Sequence, residues 1–223
     1  MNYFNELSEY GNGRTVLNRY LYKGTLEEQP ILSFCEKNGV DLQFIELICE
    51  AFQADSMPDA KRLSVFETSV ILDYLEKTHA YYLGKLIPEI ELTLFSIVQI
   101  IGIINPISIE LIKRFDAYRT DLKEHIEDEE IHFFSYAKQL LGSKLGHITF
   151  SVNQFVKEHK HQEDEVKAMI EFIKKNVSNP NFLVYKVLIG KLELLQRDLL
   201  IHAFVEDYAL VPKIKTLEAS RNQ

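Results

Sequence analysis

Two histidine–glutamate pairs with the same spacing are the strongest candidate metal ligands in this sequence. His125 is followed four residues later by Glu129, and His202 is followed at the same spacing by Glu206. In a helix this spacing puts both side chains on one face, one turn apart. Imidazoles and bridging carboxylates are the ligands of dinuclear metal sites in helical bundles. The repeated pair therefore predicts such a site between two antiparallel helices.

Both pairs continue stripes of apolar residues at helical spacing. The first stripe reads Leu111, Phe115, Tyr118, Leu122, His125 and Glu129, and the second reads Leu188, Leu192, Leu195, Leu199, His202 and Glu206. An apolar face should not carry a carboxylate without a partner, because burying an unpaired polar group is costly. The alternative for Glu129 and Glu206 is a solvated helix face, and the acidic run 124–130 has that character in part.

Two further histidines, His79 and His159, continue apolar stripes on separate helices. For His79 the alternative is a packed core histidine, and His161 competes with His159. His132 comes seven residues after His125, so it returns to the same helix face as either a replacement ligand or a hydrogen-bonded core histidine. The predicted metal ligands are therefore His79, His125, Glu129, His159, His202 and Glu206.

A hydrophobic period of about 3.6 residues dominates the chain, and no segment shows the sustained alternation of a strand. Four long helices are predicted, over 64–105, 107–139, 148–176 and from Asn179-Pro180 to Pro212. Long helices joined by short loops are antiparallel neighbours. The predicted fold is therefore all-α, with an up-down four-helix bundle over residues 62–215 and a small helical module over residues 1–55.

Local signals mark several helix ends. Thr25–Glu28 and Ser64–Glu67 match capping boxes, which are typical of helix starts. Gly39 should end one helix, and Asp41 can cap the next. Pro88 lies inside the first long helix, where a proline can kink a helix without ending it.

The composition narrows the function classes. The chain has 223 residues, 46% of them hydrophobic, and a net charge of −8, which disfavours an extended nucleic-acid contact. The apolar run Leu94–Ile107 is too short for a membrane span. The first ten residues of the chain lack a signal-peptide pattern. The two cysteines, Cys35 and Cys49, are too few for a secreted disulfide scaffold. A cytoplasmic location is therefore expected, with no membrane partner.

The histidine-bearing segments resemble those of the hemerythrin-like di-iron proteins of the iron–sulfur cluster repair type, also called regulators of cell morphogenesis and nitric oxide signalling. The similar segments in the bundle are His79–Glu89, His125–Phe134, Glu158–His159 and His202–Pro212. Those similar to the family's small N-terminal module are Gly24–Glu28 and Phe34–Asp41. The resemblance covers nearly the whole chain.

The resemblance implies a non-haem centre of two iron ions. The mixture of imidazole and carboxylate ligands suits iron or manganese, with zinc as a substitute, and an open coordination position would let the site bind nitric oxide or oxygen. The resemblance also implies iron–sulfur proteins as clients and a role in the response to nitrosative or oxidative stress. One alternative is a hemerythrin-like sensor or store for oxygen, nitric oxide or iron without turnover. The other is a helical interaction module with a degenerate metal site. Enzymatic activity and a homodimer are left open.

The chain departs from the family pattern at three places. The family's adjacent cysteine pair is missing from Arg19–Gly24, and a further family histidine is replaced by Ile101. In the family, the first-helix histidine lies eight residues before the proline, and counting back eight residues from Pro88 gives Ala80 rather than His79. One residue of slip rotates a side chain by about 100°. We expect a π-bulge or a kink above Pro88 to absorb this slip and His79 to ligate through the distorted helix.

Overall fold

The computed structural model of the chain describes residues 13–21, 31–142, 150–158, 162–177 and 183–221. These residues are helical almost throughout and contain no strand, which confirms the all-α prediction. The α-helices are α1 (Gly13–Leu21), α2 (Ile31–Asn38), α3 (Leu42–Gln53), α4 (Ala60–Ser64), α5 (Thr68–Tyr81), α6 (Ile87–Ile101), α7 (Pro106–Asp128), α8 (Ser135–Leu141), α9 (Val152–Glu158), α10 (Glu163–Asn176), α11 (Leu183–Val205) and α12 (Val211–Arg221).

Three of the long helical stretches contain a segment of π-helix. The segment π1 (Tyr82–Leu86) joins α5 to α6, π2 (Glu129–Phe134) joins α7 to α8, and π3 (Glu206–Leu210) joins α11 to α12. These stretches agree with three of the long helices that periodicity predicts. Because π-helix makes up well under 1% of residues in proteins, three such segments in one chain call for a local cause.

The chain divides into two compact units. Unit 1 contains residues 1–81, 130–159 and 201–223, and unit 2 contains residues 82–129 and 160–200. Two of the boundaries fall at or within π1 and π2, and a third falls within α11. The division into a module over 1–55 and a bundle over 62–215 stays a prediction.

In unit 1, the helix α3 supplies a large part of the apolar core. It begins at the predicted cap, where the Asp41 carboxylate accepts a hydrogen bond of 3.0 Å from the backbone N–H of Phe44. The preceding Gly39 has φ +64°, the left-handed conformation that ends helices and favours glycine. The Phe44 ring packs edge-on against the rings of Phe66 and Tyr74, with centroids 5.1 and 5.2 Å away.

Arg19 of α1 is a charged residue within this core. It is 1% exposed, and its Nη1 donates a hydrogen bond of 2.7 Å to Thr78 Oγ1. Its guanidinium also lies 4.7 Å from the ring centroid of Tyr74, which is cation–π distance. Because Thr78 precedes His79, these contacts tie α1 to the last turn of α5.

In unit 2, α6 and α7 meet at the predicted Asn105-Pro106 turn. Gly102 ends α6 with φ +104°, and the Asn105 side chain accepts a hydrogen bond of 2.9 Å from the backbone N–H of Ile107. Pro106 is then the first residue of α7, where its missing N–H has no helical partner to lose. In the described part of the chain, no helix combines the length and apolarity needed to cross a membrane.

One predicted helix start differs from the structure. The Ser64–Glu67 box predicts a helix that opens at Ser64, whereas α4 ends at Ser64 and α5 begins at Thr68. The cause is an earlier cap, since the Asp59 carboxylate accepts hydrogen bonds from the backbone N–H groups of Lys61 and Arg62 at 2.8 and 3.2 Å. The predicted Thr25–Glu28 box and Asn179-Pro180 turn lie outside the described residues.

The two cysteines should react slowly with thiol reagents in the folded chain. Burial raises the pKa of Cys35 to about 11 and that of Cys49 to about 12. Because only the thiolate reacts, Ellman's reagent at pH 8 should modify the native thiols at least ~100-fold more slowly than the unfolded ones. Rapid native-state labelling of either cysteine would contradict this expectation.

Candidate metal centre

The polar interior of unit 1 centres on two buried imidazoles. His79 lies in the last turn of α5 and His202 near the end of α11, and their Nε2 atoms are 3.2 Å apart. Two nitrogens that bind one metal at about 2.0–2.1 Å, with an angle near 90–110° at the metal, lie roughly 2.9–3.4 Å apart. The observed distance therefore suits two ligands of one metal ion, and it also suits an N–H···N hydrogen bond.

Glu129 and Glu206 are both buried, but only Glu129 belongs to the group of three residues whose ligand atoms come together. Glu129 is the last residue of unit 2 and is joined by a peptide bond to Glu130 of unit 1. His79, Glu129 and His202 each offer one ligand atom, and these atoms all lie within 4.8 Å of one another. Glu206 is fully buried one turn after His202. Two imidazoles and a carboxylate form a donor set that iron, manganese and zinc accept.

Glu130 and Phe134 of π2 hold the ring of His79. The His79 Nδ1–H donates a hydrogen bond of 3.2 Å to Glu130 Oε1. The ring of His79 also stacks on the ring of Phe134, with the ring centroids 5.2 Å apart and the ring planes 7° from parallel. A carboxylate on Nδ1 fixes the tautomer whose Nε2 carries a free lone pair. Glu130 therefore prepares the nitrogen that faces His202 for a metal ion.

Sequence reasoning did not single out Glu130. The residue belongs to the acidic run 124–130, which has the composition of a solvated helix face. Its side chain is 45% exposed, so it keeps that character in the structure. No local pattern distinguishes it from its acidic neighbours, because its partner His79 lies 51 residues away in the sequence.

Each π segment adjoins a residue of the predicted site. The segment π1 begins three residues after His79, π2 begins at Glu129, and π3 begins at Glu206. In π3 the backbone N–H of Val211 donates to the carbonyl of Glu206, five residues earlier. Such widened turns are frequent at functional sites, because they change the direction in which the following side chains point.

Two of the π segments have a proline as their cause. Pro88 and Pro212 each come two residues after the end of a π segment. A proline cannot donate to the carbonyl four residues earlier, and its ring clashes with that carbonyl, so a widened turn relieves the contact. The π-bulge expected near Pro88 is present, and His79 is buried while Ala80 is partly exposed. Ligation by His79 stays a prediction.

The remaining predicted residues differ in their placement. His125 Nε2 lies 3.1 Å from Glu129 Oε1, so His125 contacts a carboxylate of the three-residue group. His159 lies outside the described residues. His132 is exposed, because the π2 turn interrupts the α-helical spacing that would return it to the face of His125. The sequence-based interpretation of His132 as a core residue is therefore wrong, and the three-residue group does not include it.

The fold and the site define an all-helical protein with a buried histidine–glutamate group that can hold a metal ion. No protein-family model matches the chain, and no curated protein matches its sequence. The resemblance to the hemerythrin-like family therefore rests on the segments quoted for it and stays an expectation.

Replacing Glu130 with Ala should weaken divalent-metal binding by about 10–100-fold, because the Nδ1 partner of His79 is lost. Glu130→Gln should fall between Glu130→Ala and the wild type, since its amide oxygen can still accept the hydrogen bond. Competition of the chain with a chromophoric chelator for Co²⁺ measures the affinity. The matched control is Glu127→Ala, since Glu127 is 54% exposed and pairs with Lys123. Equal affinities for Glu130→Ala and Glu127→Ala would remove the role assigned to Glu130.

Proposed function

We propose that this chain is a non-haem di-iron protein built as a hemerythrin-like, up-down four-helix bundle. The observation that carries the proposal is the 3.2 Å separation of the Nε2 atoms of His79 and His202 inside unit 1. This separation fits a shared metal ion, and a carboxylate ligand atom of Glu129 lies within 4.8 Å of a ligand atom on each imidazole. The mixture of nitrogen and oxygen donors favours iron or manganese over metals that prefer thiolate, with zinc as a substitute.

In this proposal, the six predicted residues would together hold the two ions. Nitrogen ligands would come from the four histidines His79, His125, His159 and His202, and carboxylate ligands shared by the ions would come from Glu129 and Glu206. The 3.1 Å contact between His125 and Glu129 supports the placement of His125 next to one of these carboxylates.

The surrounding side chains orient and shield the ligands. Glu130 holds the Nδ1 proton of His79, and the stacked Phe134 ring covers one face of that imidazole. The Glu129 and Glu206 carboxylates provide negative charge in a buried setting, where attraction to a cation is stronger than in water. When bound, a reduced iron pair with an open coordination position would supply reversible binding of a small diatomic such as nitric oxide or oxygen.

The proposed biological role is repair of iron–sulfur clusters under nitrosative or oxidative stress. Its support is the resemblance of the four histidine-bearing segments to the repair family, so iron–sulfur proteins are the proposed clients. A sensor or store for oxygen, nitric oxide or iron would use the same ligands without iron transfer. The two roles therefore differ in what happens after a diatomic has bound.

Metal content tests the site itself. Protein purified from iron-supplemented cells should contain two iron ions per chain and show an ultraviolet–visible spectrum of ferric iron. His79→Ala and His202→Ala should each lose iron, because ligand removal weakens the site. His132→Ala is the matched control, since its imidazole is exposed, and it should retain the wild-type content. Wild-type protein without bound iron would indicate a degenerate site, in which the two imidazoles share a proton rather than a metal.

Iron transfer separates the repair role from the sensor or store. The reduced iron-loaded chain is exposed to nitric oxide and then mixed with an apo iron–sulfur protein, whose cluster absorbance is followed. A repair protein should restore the cluster, and the His202→Ala variant prepared in the same way should not. Binding of nitric oxide without any cluster recovery would assign the chain to the sensor or store class.

A further inference from the structure

Unit 2 exposes large apolar side chains along one face of α6 and on the turn after it. The exposed residues are Leu92, Phe95, Ile100, Ile103 and Ile104, the last of them 90% exposed. The sequence from 92 to 105 contains no charged residue. Apolar residues that are exposed singly are normal, but a contiguous apolar face marks an interaction site.

A groove of about 340 Å³ lies beside this face, between α6 and the first turns of α11. Its lining includes Leu92, Ser96, Leu183 and Val187. Lys191 also lines the groove, and its Nζ lies 3.2 Å from the backbone oxygen of Glu89 and 3.7 Å from its carboxylate. Because Leu92 and Leu183 are themselves exposed, the groove is open to solvent along its apolar lining, and an open apolar groove suits a helix of a protein partner.

The apolar surface is large enough for a stable contact between proteins. The five residues of the α6 face, together with Leu183 and Val187, present on the order of 500–800 Å² of apolar side-chain surface. Interfaces of standard size bury about 800 Å² on each partner. The face alone therefore supplies most of the buried area that a dimer interface of standard size needs.

We propose that a second copy of this chain covers this face, with the two α6 helices antiparallel about a two-fold axis at Ser96. In a two-fold contact, a residue of one copy that meets a given residue of the other copy must itself be met by that residue in the reverse sense, so the face has to be complementary to itself. The face satisfies this requirement on α6, since Leu92 and Ile100 lie four residues to either side of Ser96 and are both exposed. Antiparallel pairing then places Leu92 against the partner's Ile100, while the small Ser96 lets the helices approach closely.

Charge favours a second copy over other occupants. The chain carries a net charge of −8, so two copies repel each other unless they meet through an uncharged face. Residues 92–105 provide such a face, and the two charged residues that line the groove, Glu89 and Lys191, pair with each other. A nucleic acid or an anionic membrane would require a basic surface, which this face does not have. The proposal does not depend on the metal site.

Sedimentation of the full-length chain over about 1–100 µM tests the proposal. Wild-type protein should sediment at twice the chain mass of 26.0 kDa. Leu92→Glu puts two like charges into the dimer contact and should weaken association at least ~100-fold. Val65→Glu is the matched control, because Val65 is an apolar residue of unit 1 that is 76% exposed, against 70% for Leu92. This control should leave the dimer unchanged.

A cysteine at the axis tests the symmetry directly. A disulfide requires Cα atoms within about 7 Å, so Ser96→Cys should cross-link two chains under mild oxidation. Thr120→Cys, at an exposed position of α7, should not cross-link, and the native Cys35 and Cys49 are buried. A wild-type monomer throughout the concentration range, or a dimer that Leu92→Glu leaves intact, would overturn the proposal. Flotation of the wild type with phosphatidylcholine vesicles, abolished by Leu92→Glu, would also overturn it and assign the face to a lipid surface.

Discussion

The close approach of two imidazole nitrogens is the constraint around which the polar interior is arranged. The Nε2 atoms of His79 and His202 cannot lie 3.2 Å apart with both lone pairs directed at each other unless a positive charge or a proton lies between them. Glu130 accepts the Nδ1 proton of His79, which leaves Nε2 of the neutral ring as an acceptor. For the neutral ring, two arrangements are consistent with this distance, in which His202 donates a proton to His79 or both nitrogens bind a cation. Glu129, with a ligand atom within 4.8 Å of both histidines, favours the cation.

The three π segments change the direction in which the helices point the side chains near the candidate site. An α-helix rotates successive side chains by about 100°, so a stripe of core residues fixes which positions face inward. A single widened turn resets this register without ending the helix, at the expense of poorer hydrogen bonding. In π1 and π3 the hydrogen bond is already lost, because Pro88 and Pro212 have no N–H to donate. In π2 there is no proline, and the Ser135 hydroxyl donates instead to the carbonyl of Glu130 at 2.8 Å. Local irregularity is thus concentrated next to the candidate ligands.

The sequence predicted those features that depend on near neighbours. Periodicity indicated the long helices, Asp41 and Asn105 marked helix starts, and Pro88 pointed to a widened turn. Contacts between residues far apart in the sequence were not accessible in the same way. Glu130 looks like any residue of an acidic run until the fold brings His79 to it. Helical spacing from His125 predicts a buried position for His132, because π2 lacks a proline and gives no local sign of its changed register.

Among the described residues, two departures from the rule of a polar exterior and an apolar interior are each suited to a different binding reaction. In unit 1 the interior contains His79, His202 and Glu206, which are expensive to remove from water. In unit 2 the exterior contains Leu92, Phe95 and their neighbours, which gain free energy when they leave water. A metal ion in the interior of unit 1 would bind the folded chain in preference to the unfolded chain. A second copy of the chain on the apolar face of unit 2 would do the same. By mass action, each reaction would therefore stabilise the fold in proportion to the logarithm of ligand or chain concentration. The unfolding temperature therefore reports on both reactions separately, since metal binding raises it with metal concentration and dimer formation raises it with chain concentration.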